Sequence, residues 1–205
     1  MTTWFNDLKE LIWHPKSKGV DQIAEHGTIK KGLLTYFCLD IIFSLIVASL
    51  LSPLIGFLAD SYILEIAALG SAIILGAAVF IFVLRSVGLF INSALFFGLY
   101  KLTKGRGTWS DVVKGFIYGN IIANVYGSIA GLILLVSIAA STDLPIAGGA
   151  SFALGILGIV IALGLWIFYQ NISLMSRILL DTKGKVFVLY IITGIVLSVL
   201  EYMLK

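Results

Sequence analysis

Charge is scarce in this chain. Asp, Glu, Lys and Arg make up 12% of its 205 residues, against roughly 25% in soluble globular domains. Apolar residues account for 60%, more than a water-soluble chain of this length could bury. Water is therefore excluded as the solvent of most of the molecule, and lipid takes its place. Cysteine is nearly absent. The single residue, Cys38, excludes an internal disulfide and carries no information on redox compartment. Within its apolar run it reads as a small buried side chain.

Histidine is confined to His14 and His26, ahead of every long apolar stretch. A Ser/His dyad or a His-ligated zinc inside the membrane has no material to use. Asp40 is the one carboxylate well inside an apolar run, which excludes a paired-aspartate intramembrane protease. The loop Lys104-Gly-Arg-Gly107 is basic and glycine-rich but lacks the G-x-x-x-x-G-K-[ST] pattern of a phosphate loop. It reads as a tight turn carrying topology charges. The alternative is contact with anionic lipid head groups or a protein partner. The lysines of residues 1–31 are diluted by Asp7, Glu10, Asp21 and Glu25, which argues against a nucleic-acid partner. No cofactor and no metal are expected, and no catalytic centre is visible.

A spanning helix needs about 20 mostly apolar residues. Candidate runs extend over 33–57, 66–100, 115–139, 152–174 and 186–200. No apolar segment precedes Gly32, so a cleavable signal peptide is not expected and the first span should persist. The run 66–100 is ambiguous, because as one straight helix it would be about 52 Å long against a hydrocarbon core of about 30 Å. Charge arbitrates. Counted as one span with the N-terminus inside, it leaves 12 of the 14 basic residues on the cytoplasmic side (Lys9, Lys16, Lys18, Lys30, Lys31, Lys101, Lys104, Arg106, Lys114, Arg177, Lys183 and Lys185). Asp60, Glu65 and Asp143 fall outside, as the positive-inside rule favours. The excess, 66–75, would tilt, lie along the outer interface or break near Gly76. Ahead of the spans, Trp4, Phe5, Leu8, Leu11 and Ile12 share one face of a short amphipathic helix ended by Pro15. Such a helix suits the membrane interface or packs on the ends of the bundle.

The expected architecture is all-α: a polytopic membrane bundle of about five transmembrane helices over 32–205, behind a cytoplasmic N-terminal segment over 1–31. The chain is expected in the cell membrane with its N-terminus in the cytoplasm and its C-terminus outside. The third span carries Gly115, Gly119, Ala123, Gly127 and Gly131 at four-residue spacing. Small residues at this spacing form a stripe that lets two helices approach closely in lipid. Its partner is either a second copy of the chain or another helix of the same chain. Polar residues fall in one layer of the cytoplasmic half. At about 1.5 Å per residue, Asp40 lies about 10 Å in from Leu33, Asn92 about 14 Å from Lys101, Asn120 and Asn124 about 9 and 15 Å from Lys114, and Gln170 and Asn171 about 10 Å from Arg177. The layer reads as interhelical hydrogen-bond glue or as a polar pocket open to the cytoplasm. Arg85, about 24 Å in from Lys101, is near the outer interface. It could pair with Asp40 only if its helix bent.

Three stretches carry a resemblance. They are Leu8-Lys-Glu-Leu-Ile-Trp-His-Pro15 followed by Asp21-Gln-Ile; Ala94 to Trp109, including Gly98-Leu-Tyr-Lys-Leu-Thr-Lys-Gly-Arg-Gly107, running into Val113-Lys-Gly-Phe-Ile-Tyr118; and Trp166-Ile-Phe-Tyr-Gln-Asn-Ile-Ser-Leu174. Together they resemble the Yip domain family of Ypt/Rab-interacting membrane proteins in its prokaryotic form. The resemblance implies a five-span membrane protein with no catalytic residues, acting in membrane organisation or partner binding. Gly119, Asn120 and Ile121 follow Tyr118 where the family often has a proline, and the Asp-Leu-Tyr-Gly-Pro motif of eukaryotic members is missing. The Rab-binding role is therefore not carried over. The expected partners are the bilayer, a second copy through the small-residue stripe and an unidentified cytoplasmic protein. The alternative function is a small transporter or channel built on the polar layer around Asp40.

Overall fold

The structure, a computed structural model, describes residues 2–14, 18–59, 67–141 and 146–203, with side chains over 6–14, 19–51, 72–137 and 155–203. Pro15, Asp60, Glu65, Asp143 and the side chains of Trp4 and Phe5 lie outside them. The described residues form seven helices, in order: α1 (Thr2–Trp13), α2 (Lys18–His26), α3 (Ile29–Ala59), α4 (Ala67–Leu102), α5 (Trp109–Ser141), α6 (Ile146–Ile178) and α7 (Lys183–Met203). The described residues contain no strand. Five helices hold stretches long and apolar enough to cross a membrane: Ile29–Leu51, Ala72–Leu102, Trp109–Ser137, Gly155–Ile178 and Lys183–Met203. Outward-facing Val79, Phe80, Val136 and Leu165 are all exposed, as lipid contact requires. The protein is a multi-pass integral membrane protein with an all-α bundle. From Ala67 to Leu102, α4 is one helix that runs through Gly76 and Arg85, so the break expected near Gly76 is not there. Cys38 corrects an expectation: it is exposed, because its position on α3 faces away from the packed side.

The helices outrun the apolar limits because their polar end turns are capped. Thr108 and Asp111 form a reciprocal capping box before α5. The Thr108 amide donates to Asp111 Oδ2 at 2.8 Å, and the Asp111 amide donates to Thr108 Oγ1 at 3.3 Å, satisfying donors the helix leaves open. Thr28 and Thr182 cap α3 and α7 through the amides of Lys31 and Lys185. At the other end, α4 and α6 close with the same paired bonds. Gly105 and Lys104 amides donate to Tyr100 and Lys101 carbonyls, and Asp181 and Leu180 amides donate to Ser176 and Arg177 carbonyls. This closure puts its penultimate residue in the left-handed region, where glycine is usual. Here Lys104 (φ 57°) and Leu180 (φ 52°) occupy it, at a cost of about 1–2 kcal/mol each.

The chain divides into two compact units. The first comprises Met1–Tyr36, Ser86–Ile122 and Phe168–Lys205; the second comprises Phe37–Arg85 and Ala123–Ile167. The first unit has an aromatic core. Phe96 is fully buried, with ring centroids of Tyr190, Phe116 and Tyr100 at 5.1, 5.6 and 6.4 Å. The N-terminal segment folds into this unit as two helices, where one was expected. Leu8, Leu11, Ile12, Val20 and Ile23 are buried. Gly19 lets α2 approach α1, since a Cβ there would lie 2.4 Å from the Leu11 amide nitrogen. Lys114 Nζ donates to the Ala24 carbonyl at 2.6 Å, and Arg177 pairs with Asp21 at 2.9 Å. The described apolar face of α1 therefore packs on protein.

The second unit is held by close approach of α3 and α5. A Cβ on Gly127 would lie 2.6 Å from Phe43, and one on Gly131 would lie 2.6 Å from Ile46. In the first unit, by contrast, Gly115 and Gly119 face Met175 and Asn171 of α6, at 2.4 and 2.8 Å from an added Cβ. The five-residue stripe thus serves two partners within the chain. With 3.6 residues per turn, each four-residue step advances about 40° around the helix, so Gly131 lies about 160° from Gly115. A strict four-residue repeat winds across α5 instead of marking one face.

Candidate functional site

The one deep carboxylate lies in the second unit, on α3. Asp40 is 0% exposed. Arg85 of α4 reaches it, with Nε donating to Asp40 Oδ1 at 2.6 Å. Asn124 of α5 completes a triangle: its Nδ2 donates to the same Asp40 oxygen at 3.2 Å, and its Oδ1 accepts from Arg85 Nη2. The amide is thereby oriented, oxygen toward the cation and nitrogen toward the anion. Phe43, one turn beyond Asp40, lies under the guanidinium at 4.3 Å from its ring centroid, an arrangement that stabilises a cation by the ring's negative face. Ser44 is also buried, and its Oγ has no partner among the described residues.

An aspartate removed from water at this depth must pair, meet water or take a proton. It pairs, and Asn124 supplies a further donor. Arg85 and Asp40 form an ion pair with a short charge-assisted bond. The Arg85 side chain retains 29% exposure, while Asp40 has none.

Arg85 corrects the depth argument: it pairs with Asp40 from within a continuous helix. Helix α3 begins at Ile29 rather than Leu33, which moves Asp40 to about 16 Å from the helix start. The arginine's long side chain covers much of the remaining offset. Phe43 and Ser44 were not singled out in the sequence. Their signal was present, since positions three and four residues after Asp40 share its helix face.

The other four members of the expected polar layer lie in the first unit and do not bond one another. Asn92 Nδ2 donates to the Gly88 carbonyl at 2.8 Å, and Asn120 Nδ2 donates to the Phe116 carbonyl at 2.9 Å. Both amide nitrogens thus bond their own helices. Gln170 is 1% exposed, with neither amide atom partnered among the described residues. Asn171 Oδ1 is also unpartnered and faces Gly119. The described residues contain no group of three or more His, Cys, Asp or Glu placed to hold a metal ion. The cluster ties α3, α4 and α5 together. No family model, no curated protein and no solved structure matches this chain.

Proposed function

We propose that this is a non-enzymatic scaffold protein of the Yip type, set in the cell membrane with its N-terminus cytoplasmic and its C-terminus outside. In this reading it organises the membrane or holds a cytoplasmic protein partner through the basic loops and the α1–α2 hairpin. The observation that carries the reading is the closure of the Asp40 cluster. A carboxylate with no exposed surface, bonded to Arg85 and Asn124, is a fastener between helices. A carrier would need that group free to meet a solute or exchange a proton.

A second reading, a small transporter or channel, draws on Gln170. A buried amide with both polar atoms unpartnered is costly and would suit a passage for water or a polar solute. Reconstitution into liposomes separates the two. The scaffold reading expects no flux across a broad panel of ions and small solutes. It also expects a reproducible protein partner from crosslinking in the native membrane. Flux that disappears with Asp40→Asn or Gln170→Leu would overturn it in favour of transport.

A further inference from the structure

We propose that the paired loops at the ends of α4 and α6 form a docking site for anionic phospholipid head groups. The two loops make one rigid platform within the first unit. Tyr100 ties them: its hydroxyl donates to the Leu179 carbonyl at 3.5 Å and accepts from the Gly107 amide at 3.4 Å. Gly105 lies flat on the Tyr100 ring, where a Cβ would come within 2.3 Å. A Cβ on Gly107 would come within 2.6 Å of Leu179. Glycine is required at both positions for the loops to meet.

This platform displays two cations outside any ion pair among the described residues. Lys104 and Arg106 are exposed, and neither forms an ion pair among the described residues. The acids nearby are occupied. Asp111 accepts from Thr108 in the capping box, and Asp181 is paired with Lys185 at 2.7 Å. Around the cations stand apolar side chains turned outward: Leu102 at 82% exposure, Leu180 at 92% and Trp109 at 41%. Lys104 and Leu180 also occupy left-handed positions that glycine would take without strain. A cation and a leucine are thus placed where local backbone preference opposes both.

Exposed leucine and tryptophan at the ends of membrane-spanning helices match the boundary between head groups and acyl chains. Lysine and arginine beside them match the phosphates. A free phosphate would account for the cations and leave the apolar rim unexplained, so the occupant is the lipid surface. The inference rests on α4 and α6 crossing the bilayer and does not depend on whether the protein transports anything.

The test uses the full chain with Trp4→Phe, Trp13→Phe and Trp166→Phe, leaving Trp109 as reporter. Vesicles of phosphatidylcholine receive either brominated phosphatidylglycerol or brominated phosphatidylcholine, and quenching of Trp109 is compared. Stronger quenching by the anionic lipid is expected. Lys104→Gly and Arg106→Gln are each expected to reduce that preference about fivefold. Lys104→Gly also relieves the left-handed backbone, so it should unfold at a higher temperature than its parent while binding the anionic lipid less. That pairing separates lost recognition from lost folding. Equal quenching by the two lipids, or a preference unchanged in the double variant, would overturn the proposal. Loss of the preference on adding inorganic phosphate at constant ionic strength would overturn it in favour of a soluble anion. Flux in the liposome assay would sink the scaffold reading and leave this result untouched.

Discussion

Phe96 in the first unit and Asp40 in the second are both at 0% exposure, yet they are held by different physics. Around Phe96 stand other rings and aliphatic side chains, and the contacts are many and individually replaceable. Asp40 bonds the Arg85 cation and the Asn124 amide, and the Phe43 ring lies under the arginine. The second unit, among its described residues, has little else buried beyond Ala48, Ala78, Ser44 and Asn124. In lipid no hydrophobic force drives helices together, so close packing and hydrogen bonds must supply the specificity. The second unit uses both, with glycines for approach and a charge triangle for register. The first unit, which includes the helix-capping loops and the α1–α2 hairpin, has a core like that of a soluble domain.

The contrast can be broken most directly by lesions in each core. Phe96→Ala is expected to cost about 3–5 kcal/mol, and Asp40→Asn a similar amount by leaving Arg85 without its anion. The difference lies in rescue. Asp40→Asn combined with Arg85→Gln should recover most of the loss in graded detergent unfolding, whereas no single second substitution should rescue Phe96→Ala. A double variant no better than the worse single one would show that the triangle is not the organising contact of the second unit.

A smaller effect sharpens the role of close approach. Gly127→Ala places a methyl against the Phe43 ring and should cost about 1–3 kcal/mol. Gly76→Ala, in the same unit with nothing within 4 Å, should gain up to about 1 kcal/mol from helix propensity. Thermal unfolding of the two variants should move in opposite directions. Equal shifts would mean that the α3–α5 contact at Gly127 is not tight in solution.

The smallest effect concerns the α6–α7 loop of the first unit. The Asp181 carboxyl is held below its ordinary value of 3.8, chiefly by its hydrogen bond with Lys185. Because the folded value is depressed, the contribution is fully present above the unfolded value and is lost as pH falls through the folded one. The pair is partly exposed, so at most about 1 kcal/mol is at stake. Asp181→Asn should lower stability near neutrality by up to that amount and leave it unchanged at pH below the folded value, so the acid limb flattens. An unchanged acid limb would show that other carboxylates govern it.

How much of this was legible varies by residue. The burial of Asp40 and Asn124 in one polar layer was readable from hydropathy and a ruler of 1.5 Å per residue. Arg85 was not, because depth was measured from the edge of the apolar run, while Thr28 caps α3 at Ile29. Asn92 and Asn120 were readable as polar and deep, but not as solitary. An amide that bonds the carbonyl four residues back needs no partner helix, and nothing local distinguishes it from one that does. The Thr108-Trp-Ser-Asp111 box is a sequence signature in its own right. The left-handed Lys104 and Leu180 carry no local signal, since backbone preference points to glycine there.

The sequence by itself determined the solvent and the elements. Long apolar runs with few charges require lipid, and in lipid every backbone polar group must be satisfied within its own helix. Tertiary structure alone decided which side chains meet. Contact between helices depends on the azimuth and axial offset of each, and these come from packing all of them at once. That is why a glycine repeat that looked like one face serves α6 at one end and α3 at the other, and why Asp40 pairs with an arginine whose depth in its own span seemed to place it out of reach.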